Sequence, residues 1–159
     1  MDWLVQLEAL AAAGVAMVLG GLVGFERELK DRPAGFRTHM LVAGAAALLV
    51  GVGRMVLDEL AAAGSPSFLR VDPLRLVEAV IAGVAFIGAG TIFGRRGQIN
   101  GVTTAASLLM VAVVGIAAGF RYYALAVTAT ALTLSVLVLV GLFDRWLKRR
   151  RGAVARDRG

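Results

Sequence analysis

From Ala9 to Phe25 no side chain is charged, and the same holds from Thr38 to Gly53, from Asn100 to Phe120 and from Tyr122 to Phe143. A fifth apolar run, Leu76 to Gly94, carries the single carboxylate of Glu78 near its start. Such runs approach the ~20 apolar residues that a helix needs to cross hydrocarbon. Backbone N–H and C=O groups in lipid must be bonded within their own segment, which leaves the helix as the form for an isolated apolar run. With 58% hydrophobic residues, 18% charged residues and a mean hydropathy of +0.78, the chain has too little charge to cover a soluble domain. The expected fold class is all-α: a polytopic membrane bundle of five transmembrane helices over residues 1–143, followed by a basic tail over 144–159.

Small residues dominate the stretch from Ala82 to Ser107, which holds Gly83, Ala85, Gly88, Ala89 and Gly90 before a basic turn at Arg95, Arg96 and Gly97. Lipid tails are as apolar as leucine, so membrane helices associate where small residues let backbones approach. This reasoning places helix three at the centre of the bundle, with Gly83, Gly88 and Gly90 as packing positions. Gly21 and Gly24 do the same on helix one, where Gly20 and Gly24 also form a small-xxx-small pair. On helix five, Ala124, Thr128, Ala131 and Ser135 form a small, hydroxylated stripe expected to face its neighbours.

The connectors carry the polar signals. Pro33 and Gly35 break any helix between the first two runs. Helix two extends from Thr38 through Arg54, whose stem can snorkel, to Leu57. Asp72 before Pro73 reads as an N-cap followed by proline at the first helical position, so Asp72 and Arg75 mark the outer start of helix three. No Lys or Arg precedes Arg27, which argues against a cleaved signal peptide and for a retained first helix. With the N-terminus outside and the C-terminus cytoplasmic, 13 of the 17 basic residues fall inside, as the positive-inside rule requires. The net charge of +6 lies at the ends of apolar runs, which points to anionic lipid headgroups at the basic tail and away from nucleic acid.

That topology gathers Glu26, Arg27, Arg37, Thr38, His39, Asn100, Thr103 and Thr104 at one cytoplasmic mouth. Charges at such depth pair or face protein or water, so Glu26 is expected to pair with Arg27 or Arg37. Two readings of the cluster stand side by side: interfacial anchors and interhelical glue, or a site for a ligand or partner. Catalysis is disfavoured by the inventory. There is one histidine and no cysteine, and neither HExxH, paired intramembrane aspartates nor GxSxG occurs. The glycines around Gly88 lack the spacing and lysine of a phosphate loop. No catalytic residue, cofactor or metal ligand is assigned.

The strings GGLVGFEREL at 20–29, RPAGFRTHMLV at 32–42, DPLR at 72–75, AGVAFIGAGTIF at 82–93 and INGVTTAASL at 99–108 together resemble the MgtC/SapB family of bacterial inner-membrane proteins. The likeness covers about residues 14–120 in the family's order. It carries over onto Glu26, Arg27, Arg32, Pro33, Gly35, Arg37, Thr38, His39, Asp72, Pro73, Arg75, Phe86, Gly88, Ala89, Gly90, Gly101, Thr103 and Thr104. Two departures accompany it: Ala85 stands where the family usually has glycine, and the soluble C-terminal domain of the founding type is missing, so the chain reads as the short, membrane-only form. The resemblance implies a multi-pass protein of the bacterial inner membrane associated with magnesium homeostasis. It also implies a partner, since the founding member acts on the F-type ATP synthase.

Three function classes follow. A regulatory or accessory protein would work through helix contacts with a membrane partner or, by default, a second copy in a homodimer. A Mg2+ transporter or channel is the alternative, with Mg2+ as ligand. That ion demands an octahedral oxygen shell, yet the middle portions of the five apolar runs hold no Asp or Glu. An enzyme is the third class, and the least supported.

Overall fold

The computed structural model describes residues 3–63, 72, 74–95 and 98–156, with side chains through residue 142 except that of Arg95. Five helices follow one another: α1 (Trp3–Glu28), α2 (Phe36–Ala62), α3 (Leu74–Gly90), α4 (Val102–Gly119) and α5 (Tyr123–Arg156). Between α3 and α4 lie two three-residue strands, β1 (Phe93–Arg95) and β2 (Gln98–Asn100), paired antiparallel with Phe93 opposite Asn100. The expected proline at the start of helix three, the Arg96–Gly97 turn and the side chains of the basic tail lie outside the described residues.

Among the described residues four helices are long and apolar enough to cross a membrane: α1, α2, α4 and the part of α5 over Tyr123–Leu142. The fifth, α3, has 17 residues, about 26 Å at 1.5 Å per residue, against a hydrocarbon thickness of ~30 Å. Helix three was expected to run to Gly94. Instead it ends at Gly90, where Thr91 N–H and Ile92 N–H bond back to Gly88 O and Ala89 O, and the chain turns into the strand pair. Helix five was expected to stop at Phe143 and continues to Arg156. Its Leu-, Lys-, Arg- and Ala-rich end has high helix propensity, and cations suit a helix C-terminus.

Contacts between the ends define an up-down bundle. At one end His39 of α2 meets Ser107 of α4, and Lys30, just past α1, reaches the carbonyl of Leu137 on α5. At the other end Arg54 of α2 donates to Gly119 O at the close of α4, and Arg121 pairs with Glu8 of α1.

The packed centre is not helix three. Gly83 and Gly90 have no neighbour within 4 Å of where a Cβ would stand, and α3 buries only Val80, Val84 and Gly88. The closest backbone approaches are those of α2, held between two glycine seams, while α4 is the most enclosed helix and packs on all four others. On α1, a Cβ on Gly20 would lie 2.7 Å from Ala43 Cβ, and one on Gly24 would lie 2.8 Å from Phe36 Cα. On α4, Gly115 and Gly119 press on the backbone of Ala43 and Ala47, a second small-xxx-small pair. Interior positions are mostly small, such as Ala16, Ala43, Ala47, Ala112 and Ala118, whereas Leu22, Leu41, Leu125, Leu132 and Leu139 point outward. A bundle surrounded by lipid gains nothing by hiding leucine and gains contact by close backbone approach.

The stripe expected to pack helix five is also reversed. Thr128 and Ser135 are exposed and bond their own helix carbonyls, while Ala126, Thr130 and Thr133 are buried. Both stripes have small residues at helical spacing, so composition alone favoured neither face.

Candidate functional site

Two turns of the same kind shape the ends of the bundle. After α1, Arg32 N–H bonds to Arg27 O and Asp31 N–H to Glu28 O, with Asp31 at φ 50°. After α4, Tyr122 N–H bonds to Ala117 O and Arg121 N–H to Ala118 O, with Arg121 at φ 67°. These are Schellman closures in which a residue other than glycine takes the left-handed position. The first turn swings the chain back so that Glu28 Oε2 accepts the N–H of Phe36 at 2.8 Å. A carboxylate thus caps α2, whose own N-cap residue, Gly35, has no side chain to do so.

Glu26 and Arg27 are buried at this end, and Arg27 Nε donates to Glu26 Oε2 at 2.6 Å. The second cation on Glu26 is Lys30, one turn on, beside Oε1. Oε1 has no well-aligned hydrogen bond, so the Lys30 ammonium holds it by charge. Arg37, the other partner expected for Glu26, is exposed and forms no ion pair among the described residues. It sits on the first turn of α2 facing away from α1, because His39, two positions on, takes the inward face.

His39 is fully buried. Its Nδ1 lies 2.9 Å from Gly35 O and its Nε2 lies 3.0 Å from Ser107 Oγ, while Ser107 Oγ is 2.8 Å from Thr104 O. A carbonyl can only accept, so Nδ1 carries the hydrogen in a neutral ring. Ser107 then turns its hydroxyl hydrogen to Nε2 and gives up Thr104 O, which the α4 ladder already serves. In the imidazolium form both ring nitrogens donate and Ser107 donates onward to Thr104 O. His39 is therefore a fixed tie between α2 and α4. Sequence reasoning named His39 but missed Ser107, Lys30 and Glu28; a serine at i+3 from Thr104 on an apolar helix was the available signal for the first.

Asn100, Thr103 and Thr104 line an open cleft of about 610 Å³ together with Arg27, Lys30 and Arg32. Asn100 and Thr103 are exposed and Thr104 is buried. Thr38 is half-buried and, like Arg37, does not line the cleft. Asp72 lies at the start of α3, where its Oδ1 accepts Leu74 N–H at 2.9 Å, and Arg75 is exposed beside it. A Cβ on Gly21 would press on Phe36 and Met40, and one on Gly88 would meet Ala105 Cβ at an ordinary 3.4 Å. The cluster expected at one mouth thus separates into a cleft, a buried histidine tie and two outlying residues. Among the described residues no three His, Cys, Asp or Glu side chains gather as metal ligands.

Comparison with known proteins gives the arrangement a family. The model of the MgtC family matches residues 14–146. Protein SapB of Bacillus subtilis is 34% identical over 96% of this chain and 63% of its own length. The protein named MgtC in Brucella abortus is 35% identical over 96% of this chain and 61% of its own. The protein of Escherichia coli K12 named putative magnesium transporter YhiD is 35% identical over 77% of this chain and 56% of its own. The chain spans roughly six-tenths of the length of these relatives. No solved structure matches it. A helical bundle with four helices long and apolar enough to cross a membrane among its described residues, matched from its first glycine seam into its last helix, identifies the chain as a member of the MgtC family.

Proposed function

We propose that the protein is a regulatory or accessory component of a bacterial inner membrane, tied to magnesium homeostasis and acting through helix contacts with a membrane partner. The observation that carries this reading is the open face of α3. Gly83 and Gly90 meet nothing within 4 Å and Phe86 is 83% exposed. A glycine face in an apolar layer is suited to close approach by another helix. The partner in this proposal is a membrane complex of the F-type ATP synthase kind, as the family resemblance implies, with a second copy of the chain as the competing occupant. The proposed orientation has the N-terminus outside and the C-terminus cytoplasmic, with α3 and the strand pair together completing a fifth crossing and the basic tail against anionic headgroups. The residue inventory that disfavours catalysis supports a role without chemistry.

A second reading, Mg2+ transport, is favoured by the printed name of the Escherichia coli relative. Against it stands the chemistry of the interior, where Glu26 is already matched by Arg27 and Lys30 and a divalent ion needs several oxygen ligands. Two measurements test the pair of readings. Reconstituted protein is expected to give no Mg2+ flux above protein-free liposomes; flux would replace the accessory reading with transport. Gly83→Leu and Gly90→Leu are expected to fold yet fail to support growth in low magnesium; full complementation by both would remove the α3 face from the function.

A further inference from the structure

Helix α4 begins without a cap. Its N-cap residue is Gly101, at φ 90° and with no side chain to donate an acceptor, and the first bond of the helix runs from Ala105 N–H to Gly101 O. The N–H groups of Val102, Thr103 and Thr104 therefore have no acceptor among the described residues, and these three residues line the cleft. Unsatisfied N–H groups at the positive end of a helix dipole favour an anion.

Two buried side chains point to the same ligand independently. Thr104 is only 2% exposed, lines the cleft, and has no hydrogen-bond partner for its hydroxyl among the described residues. Among the described residues the one enclosed polar atom without a partner is Glu26 Oε1, so the Thr104 hydroxyl keeps an open side, and the open space this residue lines is the cleft. Arg27 is 4% exposed and uses Nε on Glu26, but neither of its Nη groups has an acceptor among the described residues, and it too lines the cleft. Lys30 and Arg32 add charge to the lining, and against Asp31 in the lining and Glu26 beside Arg27 and Lys30 the three cations leave an excess of one positive charge. Donors thus converge from α1, from the turn after it and from α4, with a cationic excess.

We propose that this cleft is a binding site for a phosphate-type oxyanion, its oxygens received by the first N–H groups of α4 and the Thr104 hydroxyl, with Arg27 and Arg32 supplying charge. Several donors around one open space suit a tetrahedral group with several oxygens better than a single-point anion. The cleft lies at the end of the apolar spans, so the same chemistry is available from inorganic phosphate or from the phosphomonoester headgroup of a lipid.

The test uses the full chain in phosphatidylcholine nanodiscs, with thermal unfolding followed against added inorganic phosphate or against replacement of part of the lipid by phosphatidic acid, chloride at matched ionic strength serving as control. Stabilisation by phosphate identifies the free anion, and stabilisation by phosphatidic acid alone identifies the headgroup. Thr104→Val is expected to leave unliganded unfolding unchanged, since the deleted hydroxyl has no partner, and to weaken the response about tenfold, the effect of losing one hydrogen bond to a charged group. Arg32→Gln, at an exposed position, is expected to weaken it as well and serves if Thr104→Val does not fold. A response to neither anion, an equal response to chloride, or unaltered responses in the variants would overturn the proposal. Because binding is read directly, this outcome is separate from the growth phenotype above.

Discussion

At the scale of single residues the largest energies belong to buried charge. Removing one partner from a buried ion pair leaves the other uncompensated, at a cost of about 3 kcal/mol or more. Glu26→Gln leaves both Arg27 and Lys30 without their carboxylate, so it is expected to destabilise strongly, and the double change with Arg27→Met less so. Arg37→Gln is expected to show no coupling to Glu26. A double-mutant cycle on unfolding in detergent measures both, and coupling to Arg37 in place of Arg27 would contradict the observed pairing. Asp31 offers a test of opposite sign. It occupies a left-handed closure that glycine adopts without Cβ strain, so Asp31→Gly is expected to stabilise by up to about 1 kcal/mol, and Asp31→Ile to destabilise by about as much. A lower melting temperature for the glycine variant would show that the Asp31 side chain matters more than the backbone.

At the scale of elements, the tightest joints lie on the two sides of α2, where α1 and α4 each press a glycine seam against it, and α4 carries that joint on to α3 and α5. A Cβ on Gly115 would fall on the carbonyl of Ala43, and backbone has no rotamer with which to move aside. Gly115→Leu and Gly119→Leu are therefore expected to abolish folded protein, since overpacking costs 1–3 kcal/mol or more even where side chains can yield. Gly83→Leu and Gly90→Leu face open space and are expected to leave folding intact. Yield and melting temperature after purification give the comparison directly, and equal behaviour of the two pairs would refute the glycine seam between α4 and α2 as the tight joint. On α5 the same logic separates Thr133→Leu, which enters the bundle, from Ser135→Leu, which enters lipid. Only the first is expected to lower stability.

For the whole molecule the decisive quantity is the number of crossings. Four helices meet the length requirement alone, and α3 lies alongside them, with Leu76 against Gly53 near one end and Gly88 against Ala105 near the other. If α3 and the strand pair complete a crossing, reporters fused after Gly64 and after Gly152 lie on opposite sides of the membrane, the first outside and the second in the cytoplasm. Finding both on one side would leave four crossings and place the two termini together. The link at the far end between Glu8 and Arg121 is exposed, so breaking it should change stability by no more than about 1 kcal/mol and leave topology unaltered.

How much of this was legible in sequence follows from the range of each force. Uncharged runs fix helices in lipid through local backbone hydrogen bonding, so the existence and order of all five helices, the break at Pro33 and Gly35 and the start of α3 after Asp72 could be read residue by residue. The family could be read too, because its strings occur in order. Which face of each helix turns inward could not. In soluble helices a stripe of leucine against charge marks the core, but here both faces are apolar, and small residues occur on the inner face of α4 and on the outer face of α3 alike. Only the tertiary structure chose Gly115 over Gly90, Thr133 over Ser135, Lys30 over Arg37 as the second partner of Glu26, and Ser107 as the tie of His39. Each of these is decided by how closely two backbones approach across the bundle, a distance set by residues far apart in the chain, whereas helix formation is decided within a few residues by the need to bond every amide in a medium without water.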